Sequence, residues 1–501
     1  MDGLETGPSG SDGRNTTESP PKTSLPLPGG MGNETQKPVD EDWIPTKHEK
    51  AIIYTLAFLN LIVSLDATII VTSLTAIVDD IGGTTTEAFW IGTSYLLVNA
   101  VTMPMICSWY GVTLAAWALG LSLGPIMGGA IAERTTWRWI FYLMFPICGF
   151  GLVAVPYLLT LRPKKATAQE KMSRIDWLGG FTFTGSATAF LIAVSWGGTQ
   201  HAWDSAATLA PLIIGLLGIV ATVLYEAFLA KHPFLRKELF HDISSVTTYI
   251  AAALQGLMLY GTLYYCPLYF LAVKGYSPLD TGVALLPNLL TFAVSGSITG
   301  RLVTRFNNFR WAIWIGWLVG SVGPAMYIVW RVNDSKPIWV IAFILGGIGH
   351  GAILTAQNFA AQAMCKPGDE GAAAAMYIFS RQFGMAVGVG IGATTFQNVM
   401  RSRLAEDGLP TEIAEHAETY IPVLHSLPQG PQRDAIFDAY RFGLQIVYAT
   451  WLAISVVTLF FCLVFIKHAD MNRKLSSEHQ LDSERMVRHW GRKEPQSDAE
   501  K

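Results

Sequence analysis

Apolar residues in this chain are gathered into blocks instead of alternating with polar ones. IIYTLAFLNLIVSL (52–65), APLIIGLLGIVATVLYEAFLA (210–230) and TWLAISVVTLFFCLVFI (450–466) show no period of two, so they do not read as half-buried strands. They approach the ~20 residues a helix needs to cross a hydrocarbon core. The pattern predicts about twelve spans, over 51–76, 88–109, 111–131, 137–160, 176–196, 207–229, 245–272, 279–300, 309–330, 337–362, 372–396 and 443–466. The expected fold class is an all-α polytopic membrane protein. A β-barrel is disfavoured, because its strands would alternate.

Composition sharpens that reading. Only 15% of the 501 residues are charged and 51% are hydrophobic, against about 25% charged in an ordinary soluble domain. The net charge of −3 comes with no basic patch interleaved with aromatics, so no nucleic-acid partner is expected. Cys107, Cys148, Cys266, Cys365 and Cys462 lie in or beside apolar blocks and read as small packed hydrophobes, not as a disulfide framework or a metal site. Residues 1–45, rich in Gly, Ser, Thr and Pro, read as a disordered tail. The tail has no apolar h-region, so no cleavable signal peptide is expected.

An even number of spans puts both termini on one side, and the basic loops say which. Arg162, Lys164, Lys165, Lys171 and Arg174 lie in one loop, Lys231, Arg236 and Lys237 in a second, and Arg301, Arg305 and Arg310 in a third. The loops between them are poorer, with 331–336 as the exception. By the positive-inside rule both termini are expected to be cytoplasmic. The glycosylation-like Asn15-Thr-Thr and Asn33-Glu-Thr would then be accidental. The long outside loop, 397–442, shows helical periodicity suggestive of a surface helix.

Polar groups inside the spans are the candidates for chemistry. Asp66 sits mid-span in SLDATII, where an ionised group is costly and usually faces a cavity or a partner. It reads as a protonation or substrate site, or as a structural carboxylate bonded to Thr68 or Thr72. Gly120, Gly124 and Gly128 recur every four residues around Pro125, a spacing that lets two helices approach closely. For glycine spacing alone, tight packing is the better reading, and Gly384, Gly388 and Gly392 repeat it. Arg381, with Gln382 beside it, reads either as a contact for an anionic substrate or as a side chain snorkelling to the interface. His350 reads as a proton carrier or as a satisfied hydrogen bond between helices. Glu226 reads as an interfacial ion pair with Lys231. Gln255, Tyr260, Tyr264, Tyr265 and Tyr269 share one span and suit either a pocket for bulky amphipathic molecules or an interfacial belt. No P-loop, HExxH, CxxC or nucleophile elbow is present, so no enzyme activity, ATP-driven transport, metal or cofactor is expected.

LGLSLGPIMGG followed by AERTTWRWIFYLMFP resembles the major facilitator superfamily, and within it the fungal fourteen-span drug:proton antiporters of toxins and secondary metabolites. Gly120, Gly124, Pro125, Gly128 and Gly129 look like that superfamily's antiporter motif on span five, associated with export. SLDATIIVTSLTAI resembles the Leu-Asp-x-Thr motif of span one, with Asp66 and Thr68 at the matching positions and a departure from its usual Ala-Leu-Pro ending. TGRLVTRF (299–306) resembles a degenerate copy of the Gly-rich basic loop. The resemblance implies the major facilitator fold and proton-coupled efflux of amphipathic small molecules by a monomer in the lipid bilayer. The expected location is the plasma membrane, with the vacuolar membrane as the alternative.

One departure stands out. MPMICSWYGVTLAAWALG (103–120) runs from span two directly into a segment resembling span five, and no Lys or Arg occurs between Lys50 and Arg134. Spans three and four of the family pattern, with their basic loop, are absent, so about twelve spans here are fourteen minus two, through either a genuine shortened form or, as the intact flanking motifs favour, a mispredicted intron. An even loss leaves the downstream charge pattern intact. The expected division is a tail at 1–45, an incomplete N-terminal helical half at 46–160, two linking spans at 161–230, a C-terminal half at 231–467 and a tail at 468–501. A non-transporting isoform or sensor, and an uptake carrier for a metabolite or siderophore, are the alternatives to an exporter.

Overall fold

A computed structural model of the protein describes residues 47–82, 84, 111–158, 176–198, 200–231, 233–329, 336–469 and 471. The long helices are α1 (Lys47–Ile81), α2 (Gly111–Arg134), α3 (Arg138–Leu158), α4 (Trp177–Trp196), α5 (Ala206–Phe228), α6 (Ile243–Leu268), α7 (Pro278–Phe306), α8 (Arg310–Ile328), α9 (Lys336–Met364) and α10 (Glu370–Glu406). A short α11 (Ile421–Ser426) and the long α12 (Pro431–Phe465) complete the series. Eleven of these coincide with predicted spans, and the twelfth prediction, 88–109, lies outside the described residues. Among the described residues, eight helices are long and apolar enough to cross a membrane. The N-terminal tail, nearly all of the C-terminal tail and the direct junction at 103–110 also lie outside the described residues.

Local sequence sets the helix ends. Asp176 caps α4 by accepting the Gly179 N–H at 2.8 Å, and Ser277 caps α7 by accepting the Asp280 N–H at 3.1 Å, with Pro278 opening the helix. α7 ends at Asn307, whose φ of 47° is the left-handed cap that Asn tolerates. Pro267 interrupts the backbone bonding of α6, which continues as a π turn over Tyr269–Val273.

The outside loop differs from expectation. α10 spans 37 residues and α12 spans 35, about 55 and 52 Å at 1.5 Å per residue, well beyond a hydrocarbon core of about 30 Å. The periodicity at 397–442 therefore belongs mainly to the projecting ends of two spans. Between them lie the turn Thr411–Ala414 and the short α11. The loop is tied down by ion pairs of Arg401 with Glu415, and of Arg403 with Asp438 at 3.1 Å.

Packing divides the buried apolar side chains among the described residues into two clusters. A large one is built mainly from α6–α10 and α12, and a small one centres on Leu65, Ile69, Leu74, Ile77 and Ile140 of α1 and α3. Tyr264 touches both. α2 lies between α1 and α7, and the glycines explain how. A Cβ at Gly120, Gly124 or Gly128 would run into Leu61, Thr68 or Ile69 of α1 respectively, while one at Gly129 would run into Pro278 of α7. Gly384 and Gly388 likewise seat α10 on the Ala253 and Leu257 backbone of α6. Of the described cysteines, Cys266, Cys365 and Cys462 are buried as expected, whereas Cys148 is exposed on α3 beside Phe145, Leu152 and Val153. That face of α3 is lipid-facing in composition.

Candidate substrate and proton site

The site is built where α1 meets the large cluster. Ala67 packs against that cluster, and its neighbour Asp66 is half-buried on the same helix. From α6, the enclosed Tyr260 hydroxyl lies within electrostatic range of both Asp66 and Arg381. Arg381, on α10, is 5% exposed, so it does not snorkel to an interface. Its backbone carbonyl and side-chain stem lie where a Cβ on Gly256 would stand, so a glycine on α6 lets the two helices close. An acid, a phenol and a guanidinium from three helices are thereby brought to one region.

Gln255 adjoins that contact. It is 0% exposed, and neither atom of its amide head has a hydrogen-bond partner among the described residues. Gln357 on α9 is in the same condition. A buried amide left unpaired costs on the order of 1–3 kcal/mol. Such groups are retained where something else satisfies them, and a polar substrate group or an ordered water can do so.

His350 also lies on α9, two helical turns before Gln357 and on the same face. Its Nδ1 is unpaired, and the ring lines a cavity with Thr262, Asn288, Tyr327 and apolar neighbours. The structure brings His350 to the interior of the C-terminal helices and places Tyr260 within electrostatic range of both Asp66 and Arg381. Among the described residues, no cluster of His, Cys, Asp and Glu is gathered that could hold a metal ion.

Thr68 and the span-five motif do something different. The Thr68 hydroxyl bonds Ser64 O in its own helix at 3.1 Å and lies 3.5 Å from Leu121 O, the carbonyl that Pro125 leaves without its helical partner. Thr72 donates to Pro125 O at 2.7 Å. These contacts assign both threonines to the α1–α2 seam. Neither is bonded to Asp66, so the structural-carboxylate alternative lacks the bonds it called for.

Two buried residues, Gln357 and Glu418, were not among the sequence candidates, and two readings of those candidates are resolved. Tyr260, Tyr265 and Tyr269 are buried and Tyr264 is partly buried, so their span is not an interfacial belt. Gln357 was detectable as a polar residue inside an apolar block. Glu418, 3% exposed, lies within electrostatic range of Tyr264 from the loop before α11; nothing in its local sequence marks it. Glu226 corrects an expectation. It is buried, accepts backbone N–H groups of Phe234 and Leu235, and makes no ion pair with Lys231 among the described residues.

Comparison with known proteins fits this architecture. Residues 107–389 match the Major Facilitator Superfamily. The chain is 32% identical over 390 residues to the efflux pump FUS6 of Gibberella moniliformis, covering 75% of this chain and 68% of that protein. It is 34% identical over 384 residues to the MFS-type efflux pump LUC4 of a Fusarium species, covering 74% and 67%. With the MFS transporter L2 of a Phoma species it shares 29% identity over 553 aligned positions, covering 94% and 92%. A bacterial homologue of the human lysosomal transporter Spinster, in an inward-facing and unoccupied crystal structure, shares the fold with a TM-score of 0.50 at 13% identity, over 85% of this chain and 99% of that one.

Proposed function

We propose that this chain, which belongs to the Major Facilitator Superfamily and is a multi-pass membrane transporter, exports amphipathic small molecules in exchange for protons. Toxins, secondary metabolites and drugs are the substrate class. The observation that carries the reading is the placement of Tyr260 on α6 within electrostatic range of both Asp66 of α1 and Arg381 of α10. A carboxyl group that alternates between proton and substrate needs a partly enclosed position, and Asp66 has one, with the Tyr260 hydroxyl within electrostatic range. Gln255 and Gln357 supply amide groups, and the tyrosines of α6 supply apolar surface with polar tips. Relatives named as efflux pumps support the direction of transport. Both termini face the cytoplasm in this account, and the location is the plasma membrane.

His350 is a secondary proton site, reached through the cavity it lines. The glycines and Pro125 of α2 act as the seam about which α1 and α7 move. Alternating access in such transporters is rocking of one bundle against another about a midplane site. A helix that packs on both sides through glycine, with no bulky side chain interposed, suits that motion.

A second reading rests on the stretch between Lys50 and Arg134, which carries no Lys or Arg. A chain that lacks two spans and their basic loop is a non-transporting isoform that regulates a complete partner. The alignment with L2 runs to 553 positions although this chain has 501 residues, in keeping with segments that the relative carries and this chain does not. Export assayed in vesicles that contain this chain alone separates the two readings. Gradient-driven flux supports the exporter, and folded protein without flux supports the isoform.

A further inference from the structure

The hairpin α4–α5 ends in two carboxyl groups that face each other. Asp176 precedes α4 and spends Oδ1 on the Gly179 N–H, at 2.8 Å. Glu226, in the last turn of α5, is 2% exposed. Its Oε2 accepts the N–H of Phe234 at 2.8 Å and of Leu235 at 3.3 Å. Glu226 therefore fastens the hairpin to the segment that leads into α6. The remaining oxygens, Asp176 Oδ2 and Glu226 Oε1, are shielded from solvent, lack any other hydrogen-bond partner among the described residues, and stand within bonding reach of each other. Gly179 makes the room: a Cβ there would collide with both, meeting Asp176 Oδ2 at 2.7 Å.

Two ionised carboxylates are acceptors only, and in contact they repel. A single proton between them converts the repulsion into a charge-assisted hydrogen bond. We propose that Asp176 and Glu226 form an acid–carboxylate pair that binds one proton, with Glu226 Oε1–H donating to Asp176 Oδ2. Glu226 holds the proton because it is the deeper of the two. Asp176 keeps the negative charge because it caps the positive N-terminal end of α4.

Among the described residues, no ion pair reaches either carboxyl group. The other titratable group facing the pair among the described residues is Tyr225, from α5 itself, whose hydroxyl is placed to donate to Asp176. The segment after α5 contributes backbone N–H groups, and its Arg236 pairs instead with Asp369 at 3.1 Å. The side chains that pack there from α4, that segment and α10 are Phe183, Phe234 and Phe379. Loss of the proton leaves two like charges inside the joint between the hairpin and the C-terminal helices. This site is separate from Asp66 and does not rest on the transport reading.

The test is infrared difference spectroscopy on the purified full-length protein in lipid nanodiscs, titrated with pH, alongside thermal unfolding. In E226Q the amide can donate to Asp176 and still accept from Phe234, so the hydrogen bonds survive without the proton. D176N, which retains a capping side chain, is the second variant. The native pair binds a proton that the unfolded chain has already released, so wild-type Tm falls as pH rises above the ordinary carboxyl range. The expected result is a carboxylic-acid band that titrates away in the wild type and in D66N, and is absent from E226Q and D176N. The Tm of both pair variants should lose that pH dependence. The same band and the same Tm profile in wild type, E226Q and D176N would overturn the proposal, whatever D66N does to transport.

Discussion

The Thr72 hydroxyl donates to the carbonyl of Pro125 at 2.7 Å, joining two sequence motifs that lie 53 positions apart. Proline inside a helix weakens local backbone bonding, and here a threonine from the neighbouring helix supplies a bond at that point. Thr72→Val keeps the shape and removes the donor. The expected outcome is a loss of about 0.5–1.5 kcal/mol, read as a lower Tm in detergent or nanodiscs, with Thr72→Ser close to wild type. Equal Tm for all three would show that the bond contributes nothing.

The α1–α2 seam gives a second prediction. A methyl group at Gly128 would meet the Ile69 backbone carbonyl, whereas one at Gly149 would meet nothing within 4 Å. Gly128→Ala should destabilise by roughly 1–3 kcal/mol through forced separation of the helices, and Gly149→Ala should stay within about 0.5 kcal/mol. Chemical denaturation of the two variants side by side checks the difference.

Gln255 separates stability from function. Its amide head is buried and unpaired among the described residues. Gln255→Leu removes the desolvated polar atoms, so Tm should hold or rise while the apparent affinity for substrate falls. A fall in Tm with unchanged transport would make Gln255 a structural residue.

Much of this was legible in the sequence because a bilayer demands helices of a fixed length. Blocks of about twenty apolar residues located eleven helices of the structure, eight of them long and apolar enough to cross a membrane. The glycine spacing also announced a close helix contact. What it could not announce was the partner. Lipid is as apolar as a protein core, so hydrophobicity does not distinguish a helix's buried face from its lipid face. Gly128 and Gly129 are adjacent in sequence yet serve α1 and α7. Glu226 was misread because proximity to Lys231 in sequence said nothing of Asp176, fifty positions earlier. The polar region shared by Asp66, Tyr260 and Arg381 draws on three helices spread over more than three hundred residues, and only packing assembles it.

The uncharged junction makes a prediction about the message. If two spans and their loops were lost by a misplaced intron boundary, the transcript between the codons for Trp90 and Trp137 will be longer than this sequence encodes by about 180 nucleotides, enough for two ~20-residue spans with loops. Amplification and sequencing across that interval decides it. A length that matches this sequence makes the shortened form genuine.

The most direct measurement reconstitutes the full-length protein in proteoliposomes, imposes a pH gradient and follows a fluorescent amphipathic cation, in wild type and D66N. Gradient-driven flux in the wild type, abolished by a protonophore and absent from D66N of unchanged Tm, is the predicted result. Wild-type flux indifferent to the gradient, or D66N flux equal to wild type, would contradict the account.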